Sequence, residues 1–67
     1  MAYKNGDIVI ITGNDMLEHV FENGQECTYI QEYAHNVHEL SGLYGILEDF
    51  KSICKQSVSG NCFKIKK

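Results

Sequence analysis

Residues 6–14 read Gly6-Asp7-Ile8-Val9-Ile10-Ile11-Thr12-Gly13-Asn14, and no other part of the chain speaks so plainly for a structural class. Three isoleucines and a valine in a row favour extended backbone, because β-branched side chains are restricted in a helix and pack well on a pleated surface. Gly-Asp before the run and Thr-Gly-Asn after it are turn residues that bound a short strand. Side chains alternate along a strand, so Val9 and Ile11 share one face and Ile8 and Ile10 the other. Val9 and Ile11 are the expected core face. Two outward isoleucines then need cover, since leaving them exposed forgoes roughly 1.5–3 kcal/mol each. Ile53, Phe63 and Ile65 of the chain's own C-terminal part are the expected cover; a homodimer contact through Ile8 and Ile10 is the alternative.

Outward from this strand the pattern is less decisive. Residues 14–24 fit a short helix capped by Asn14, with Leu17, Val20 and Phe21 on its apolar side, or a long loop pinned by Phe21. From Gln25 to Tyr33, a strand would set Cys27, Tyr29 and Tyr33 on one face. A helix would instead align Cys27, Ile30, Ala34, Val37 and Leu40. After Ser41-Gly42, the residues Leu43, Ile46, Leu47, Phe50, Ile53 and Cys54 also fit a helical stripe. Residues 56–61 read as a turn, and Cys62-Phe63-Lys64-Ile65-Lys66 as a final amphipathic strand. Periodicity alone therefore describes an α+β chain, with helices between two edge strands.

The opening stretch resembles the "G-D-x-V-x-I-x-G-N" start of small SH3-like barrels of bacteria and phages. His19-Val20-Phe21-Glu22-Asn23-Gly24 is similar to the "H-x-F-x-x-G" that closes the long first loop of those proteins. The two motifs cover residues 3–33, and Leu47-Glu48-Asp49-Phe50 resembles the 3₁₀ turn before their last strand. Asn23 and Cys27 stand where an aliphatic residue and a valine are usual, and residues 54–67 extend past the family's compact ending. The resemblance implies a single domain over residues 1–67, mainly β: a small SH3-like barrel with some helical content, its open end plugged by Phe21.

Composition bounds the function. Sixty-seven residues make one domain with a thin core and little room for a deep cleft. The longest aliphatic run is Ile8–Ile11, far short of a membrane span, and the first residues lack a signal pattern. Cys27, Cys54 and Cys62 are odd in number and form no Cys-x-x-Cys pair, which points to a reducing, cytoplasmic setting. There is no Trp, no Pro and no Arg, so base reading by bidentate arginine and proline-rich-peptide reading lose their usual instruments.

Chemistry of the catalytic kind finds little footing. His35-x-x-His38 with Cys54 and Cys62 has the ligand types zinc accepts but not finger or knuckle spacing, so neither metal nor cofactor is expected. No local signature surrounds any cysteine, the acid pair Glu48-Asp49 reads as a solvated turn, and Gly6, Gly13 and Gly24 lie too far apart to cradle a phosphate. An enzyme is not expected.

Charge is the informative feature. Residues 1–49 hold all nine acids and one lysine; residues 50–67 hold five lysines and no acid. Asp15, Glu18, Glu22, Glu26 and Glu32 fall within eighteen residues that contain no lysine. On a barrel, the first loop and the start of the second strand would gather them on one side, as a surface suited to a basic partner. The resemblance to phage proteins makes that partner a host protein, such as a nucleic-acid-processing enzyme whose channel is blocked. The expectation is thus a non-catalytic protein-binding module. The alternative is a nucleic-acid-binding barrel using Lys51, Lys55, Lys64, Lys66 and Lys67, although the acidic body would repel a phosphate backbone.

Overall fold

A computed structural model of the chain describes residues 3–15, 18–47 and 50–66, with the side chains of residues 46, 47, 50 and 51 left aside. The strands are β1 (Ile8–Ile11), β2 (Glu26–Ala34), β3 (Val37–Leu47), β4 (Phe50–Ser59) and β5 (Phe63–Ile65). They form one antiparallel sheet in the order β4-β3-β2-β1-β5. The chain is mainly β, and no helix occurs among the described residues. That corrects both the α+β alternative and the expected helical content. Among the described residues no helix is long and apolar enough to cross a membrane.

The first strand behaves as its residues dictate. Val9 and Ile11 are fully buried and join Phe21, Cys27, Tyr29, Leu40, Val58, Cys62 and Phe63 in the core, with Tyr3 packed against it. At the far end of the core the Tyr3 and Tyr29 rings stack with centroids 5.0 Å apart, and Phe63 lies 5.1 Å from Tyr3. Aromatic pairs at these spacings add to what area burial alone supplies.

Cover for Ile8 and Ile10 differs from expectation. Register pairs Val9 with Ile65 and Ile11 with Phe63, so Phe63 and Ile65 share the core face. Ile53 lies far off on β4 and is 74% exposed. On the outward side Ile10 is flanked by Lys64 and Glu26, and Ile8 by Thr28. Lys66 Nζ meets Glu26 Oε2 at 2.7 Å, an ion pair that links β5 to β2 across β1. The pair spans the strand that carries the isoleucines while its charged heads stay in water. Ile10 is half-buried, while Ile8 stays 40% exposed.

The middle of the sheet replaces the expected helices with long strands. Ala34 pairs with Val37 around the two-residue turn His35-Asn36, and Asn36 takes φ 59°, a left-handed value that Asn tolerates in tight hairpins. This turn breaks the stripe from Cys27 to Leu40. Bulges between Tyr29 and Gln31 and between Glu32 and Ala34 also change which side chains face inward. Tyr29 is buried, whereas Tyr33 is exposed and donates to Glu39 Oε2 at 2.8 Å. The β3–β4 ribbon pairs Gly42 with Cys54, Leu43 with Ile53, Tyr44 with Ser52 and Leu47 with Phe50. The expected turn at 56–61 is mostly strand: β4 runs to Ser59 with Val58 wholly buried, and the chain reverses at Gly60-Asn61. Residues 54–59 and 63–65 are thus integral strands of the sheet. Leu17, and the Glu48-Asp49 part of the expected 3₁₀ turn, lie outside the described residues.

Candidate functional site

The long connection from β1 to β2 is a tied loop, and its ties explain the His-x-Phe-x-x-Gly string. Asn14 Nδ2 donates to His19 O at 3.1 Å, and His19 N returns a bond to Asn14 Oδ1 at 3.2 Å. The buried His19 ring accepts at Nδ1 from Phe21 N (3.1 Å) and bonds Gly13 O through Nε2 (2.7 Å). Those contacts fit the neutral tautomer with hydrogen on Nε2. Phe21 then enters the core. Gly24, at φ 86°, turns the chain so that its amide donates to Ile11 O at 2.7 Å, and Ile11 N donates to Gln25 O at 2.9 Å.

Because this return leads the chain towards β1, it draws the start of β2 away from β3. Ser41 is the last β3 residue in register with β2, while β3 continues beside β4 as far as Leu47. The divergence leaves a groove of about 610 Å³, with Val20, Glu22, Gln25 and Glu26 on one wall and Leu43 and Tyr44 on the other. Val20, Leu43 and Tyr44 are all exposed large hydrophobic residues, Leu43 by 53%. Gln25 spans the gap, donating from Nε2 to Leu43 O at 2.7 Å while its Oε1 accepts from Glu22 N at 3.1 Å. Next to Leu43, Gly42 leaves no room for a side chain: a Cβ there would press on Cys27 and Phe21. The groove thus has apolar walls and a carboxylate rim.

The five acids singled out by sequence do not all meet there. Glu22 and Glu26 line the groove; Glu26 is exposed although ion-paired to Lys66. Asp15 and Glu18 are exposed on the loop, Asp15 beside Cys62, whose thiol its charge and hydrogen bond help to raise. Glu32 sits six residues along β2 from Glu26, roughly 20 Å at strand rise. It belongs to a smaller hollow of about 220 Å³ with Tyr3, Tyr29 and His38.

Other chemistry-bearing groups are spoken for by packing. His38 is buried, shares a 2.9 Å hydrogen bond with Tyr29 Oη and meets Phe63 edge-on, while His35 is exposed in the hairpin turn. Among the described residues no three His, Cys, Asp or Glu side chains group as metal ligands. All three cysteines are free thiols. Burial pushes the Cys27 thiol up to about 11, and burial, then Asp15, raises Cys62. Both changes disfavour the nucleophilic thiolate. The lysines divide between opposite edges of the sheet, Lys55 on β4 and Lys64 on β5.

Val20, Leu43 and Tyr44 are the site residues that sequence reasoning missed. One signal was present: Leu43-Tyr44 stands between Gly42 and Gly45, and glycine inside a strand often marks a bulge or a close approach of another backbone. A register shift does fall between Gly45 and Leu47. Comparison of the chain with protein-family models, with curated proteins and with solved structures finds no match.

Proposed function

We propose that the chain is a small non-catalytic protein-binding module that docks a basic segment of a partner protein in the groove between residues 20–26 and Leu43–Gly45. The observation that carries this reading is the coincidence of three exposed hydrophobic side chains, Val20, Leu43 and Tyr44, with the rim carboxylate of Glu22, next to Glu26, which is ion-paired to Lys66. Apolar walls supply contact area, and the acids select and steer a positively charged partner. The finer architecture belongs to the same proposal: an SH3-like barrel. Its support is the strand order, in which β5 returns to pair with β1, together with the long tied loop between β1 and β2.

The resemblance to phage barrels makes the partner a basic host protein, and inhibition by occlusion of a charged channel is the form of action it implies. Asp15 and Glu18 would add long-range attraction from the loop, but Glu32 stands apart. The test is partner recovery by immobilised protein, comparing wild type with Glu22→Lys and Leu43→Ser variants that keep the wild-type circular dichroism. The reading expects both variants to lose a partner retained by wild type. Equal recovery by wild type and both variants contradicts it.

A further inference from the structure

Resting on the groove reading above, we propose that the basic segment binds as an extended strand, adding to the open edge of β3 at Leu43–Gly45. Backbone polar groups along a strand point alternately to its two sides. Leu43 O is directed across the groove, where it accepts from Gln25 Nε2. Leu43 and, two residues on, Gly45 therefore turn their N–H and C=O groups away from β4 and into the groove. Among the described residues no strand pairs with β3 there. The side-chain amide of Gln25 stands where the N–H of a neighbouring strand would stand.

The remaining edges of the sheet are guarded differently. The β4 edge carries Lys55, and β5 carries Lys64 with Lys66 just beyond it. Lysine on an edge discourages another chain from pairing with it. Gly42-Leu43-Tyr44-Gly45 has no charge at all. It is an uncharged edge beside the groove, and an incoming strand would take the place of the Gln25 amide at Leu43 O.

Charge selects the occupant. Glu22 lines the wall opposite this edge, while Glu26 beside it is ion-paired to Lys66. A lysine or arginine of the incoming strand would thus meet the Glu22 carboxylate, and apolar side chains alternating with it would meet Leu43 or Tyr44, which point to opposite faces of β3. A second copy docked here about a two-fold axis would bring the same acidic wall, Glu22 included, to both sides of the contact and, among the described residues lining it, no lysine to meet it, which charge complementarity disfavours. The occupant is an extended segment of alternating basic and apolar residues, bound through main-chain hydrogen bonds as in other strand-addition complexes.

The probe is a capped peptide of alternating lysine and valine, about seven residues and hence about 20 Å long. Amide hydrogen exchange is followed at Leu43 and Gly45, and affinity is compared with that of the same peptide N-methylated along its backbone. Strand addition predicts that exchange at both amides slows at least tenfold, and that N-methylation weakens binding at least tenfold. If both peptides bind equally, Glu22→Lys weakens both and the two amides are unaffected, strand addition is overturned while the acidic groove stands. Failure of both peptides to bind the groove overturns both readings. Protection of Leu43 and Gly45 that rises with protein concentration in the absence of peptide assigns the edge to a second copy and also overturns the proposal.

Discussion

Gly42→Ala reaches the joint on which both the core and the groove depend. A Cβ at that position would stand 2.7 Å from Cys27 Sγ, 2.9 Å from Phe21 Cε1 and 3.1 Å from Gln25 Nε2. Carbon atoms in good contact sit about 3.5–4.0 Å apart, so the methyl intrudes by close to 1 Å on two side chains. Neither can retreat freely, because Cys27 and Phe21 are both buried in the core. Gly42 is not in the left-handed region, so the cost is steric contact alone. Overpacking of this kind destabilises by about 1–3 kcal/mol. In a domain of this size each kcal/mol lowers Tm by about 4–8 °C, giving an expected fall of about 4–24 °C. Thermal unfolding followed by circular dichroism measures it. Adding Cys27→Ala to the variant removes the nearest clashing atom, so the double variant should be less destabilised than the two single losses added together. A Gly42→Ala protein melting within about 2 °C of wild type, against the several degrees expected, would refute the packing argument.

Gly24 offers the complementary case, because an added Cβ there meets nothing within 4 Å while φ is 86°. Gly24→Ala should therefore lose about 1–2 kcal/mol by backbone strain alone in denaturant unfolding, and an unchanged midpoint would contradict that. Tyr29→Phe removes the hydroxyl bonded to His38 Nδ1 inside the core, and a loss of about 1–3 kcal/mol is expected from the unpaired buried nitrogen. The cysteines differ in access: Cys54 is half-buried and Cys27 and Cys62 are buried. A thiol reagent near neutral pH should label Cys54 first, and equal rates for all three would count against the fold. Because Cys27 titrates near 11 in the folded chain against an ordinary 9.0, its contribution to stability is complete below pH 9 and is lost as pH rises through 11. Replacing Cys27 by Ala should flatten that alkaline decline, measured by denaturant midpoints across the range.

How much of this was legible varies with the local physics. Residues 6–14 announced β1 because consecutive β-branched residues suit little else, and the inward assignment of Val9 and Ile11 holds. Phe21 as the pin of the loop also holds, although the network through Asn14 and His19 that positions it depends on spatial neighbours. Cys27 and Tyr29 face inward as the strand reading required. Tyr33 does not, since bulges shift the alternation and no residue type in that segment signals them. The helical stripe from Leu43 to Cys54 was a coincidence of spacing: Leu43 and Ile53 pair directly across a hairpin and remain exposed. The end of β4 was hidden by Gln56, Ser57 and Ser59 around the single buried Val58.

The candidate site was half legible for a similar reason. Net charge by segment drew attention to the acids, and two of them line the groove. Their separation follows from strand length, since β2 carries Glu26 and Glu32 to different ends of the sheet. The apolar wall was out of reach because it arises where β2 and β3 part company, a consequence of Gly24 and Gln25 bonding to Ile11 rather than to β3. Likewise, Lys66 reads from sequence as part of a basic tail, yet it spends its charge on Glu26.

The central claim is that this groove receives a basic segment, and backbone chemical-shift mapping with the lysine–valine peptide tests it most directly. The account predicts perturbations concentrated at Val20, residues 22–26 and Leu43–Gly45, weakening as salt is raised because the rim carboxylates contribute attraction. Shifts confined to Asp15, to Glu32 and its hollow, or to the strand edges bearing Lys55 and Lys64, with the groove silent, would contradict it.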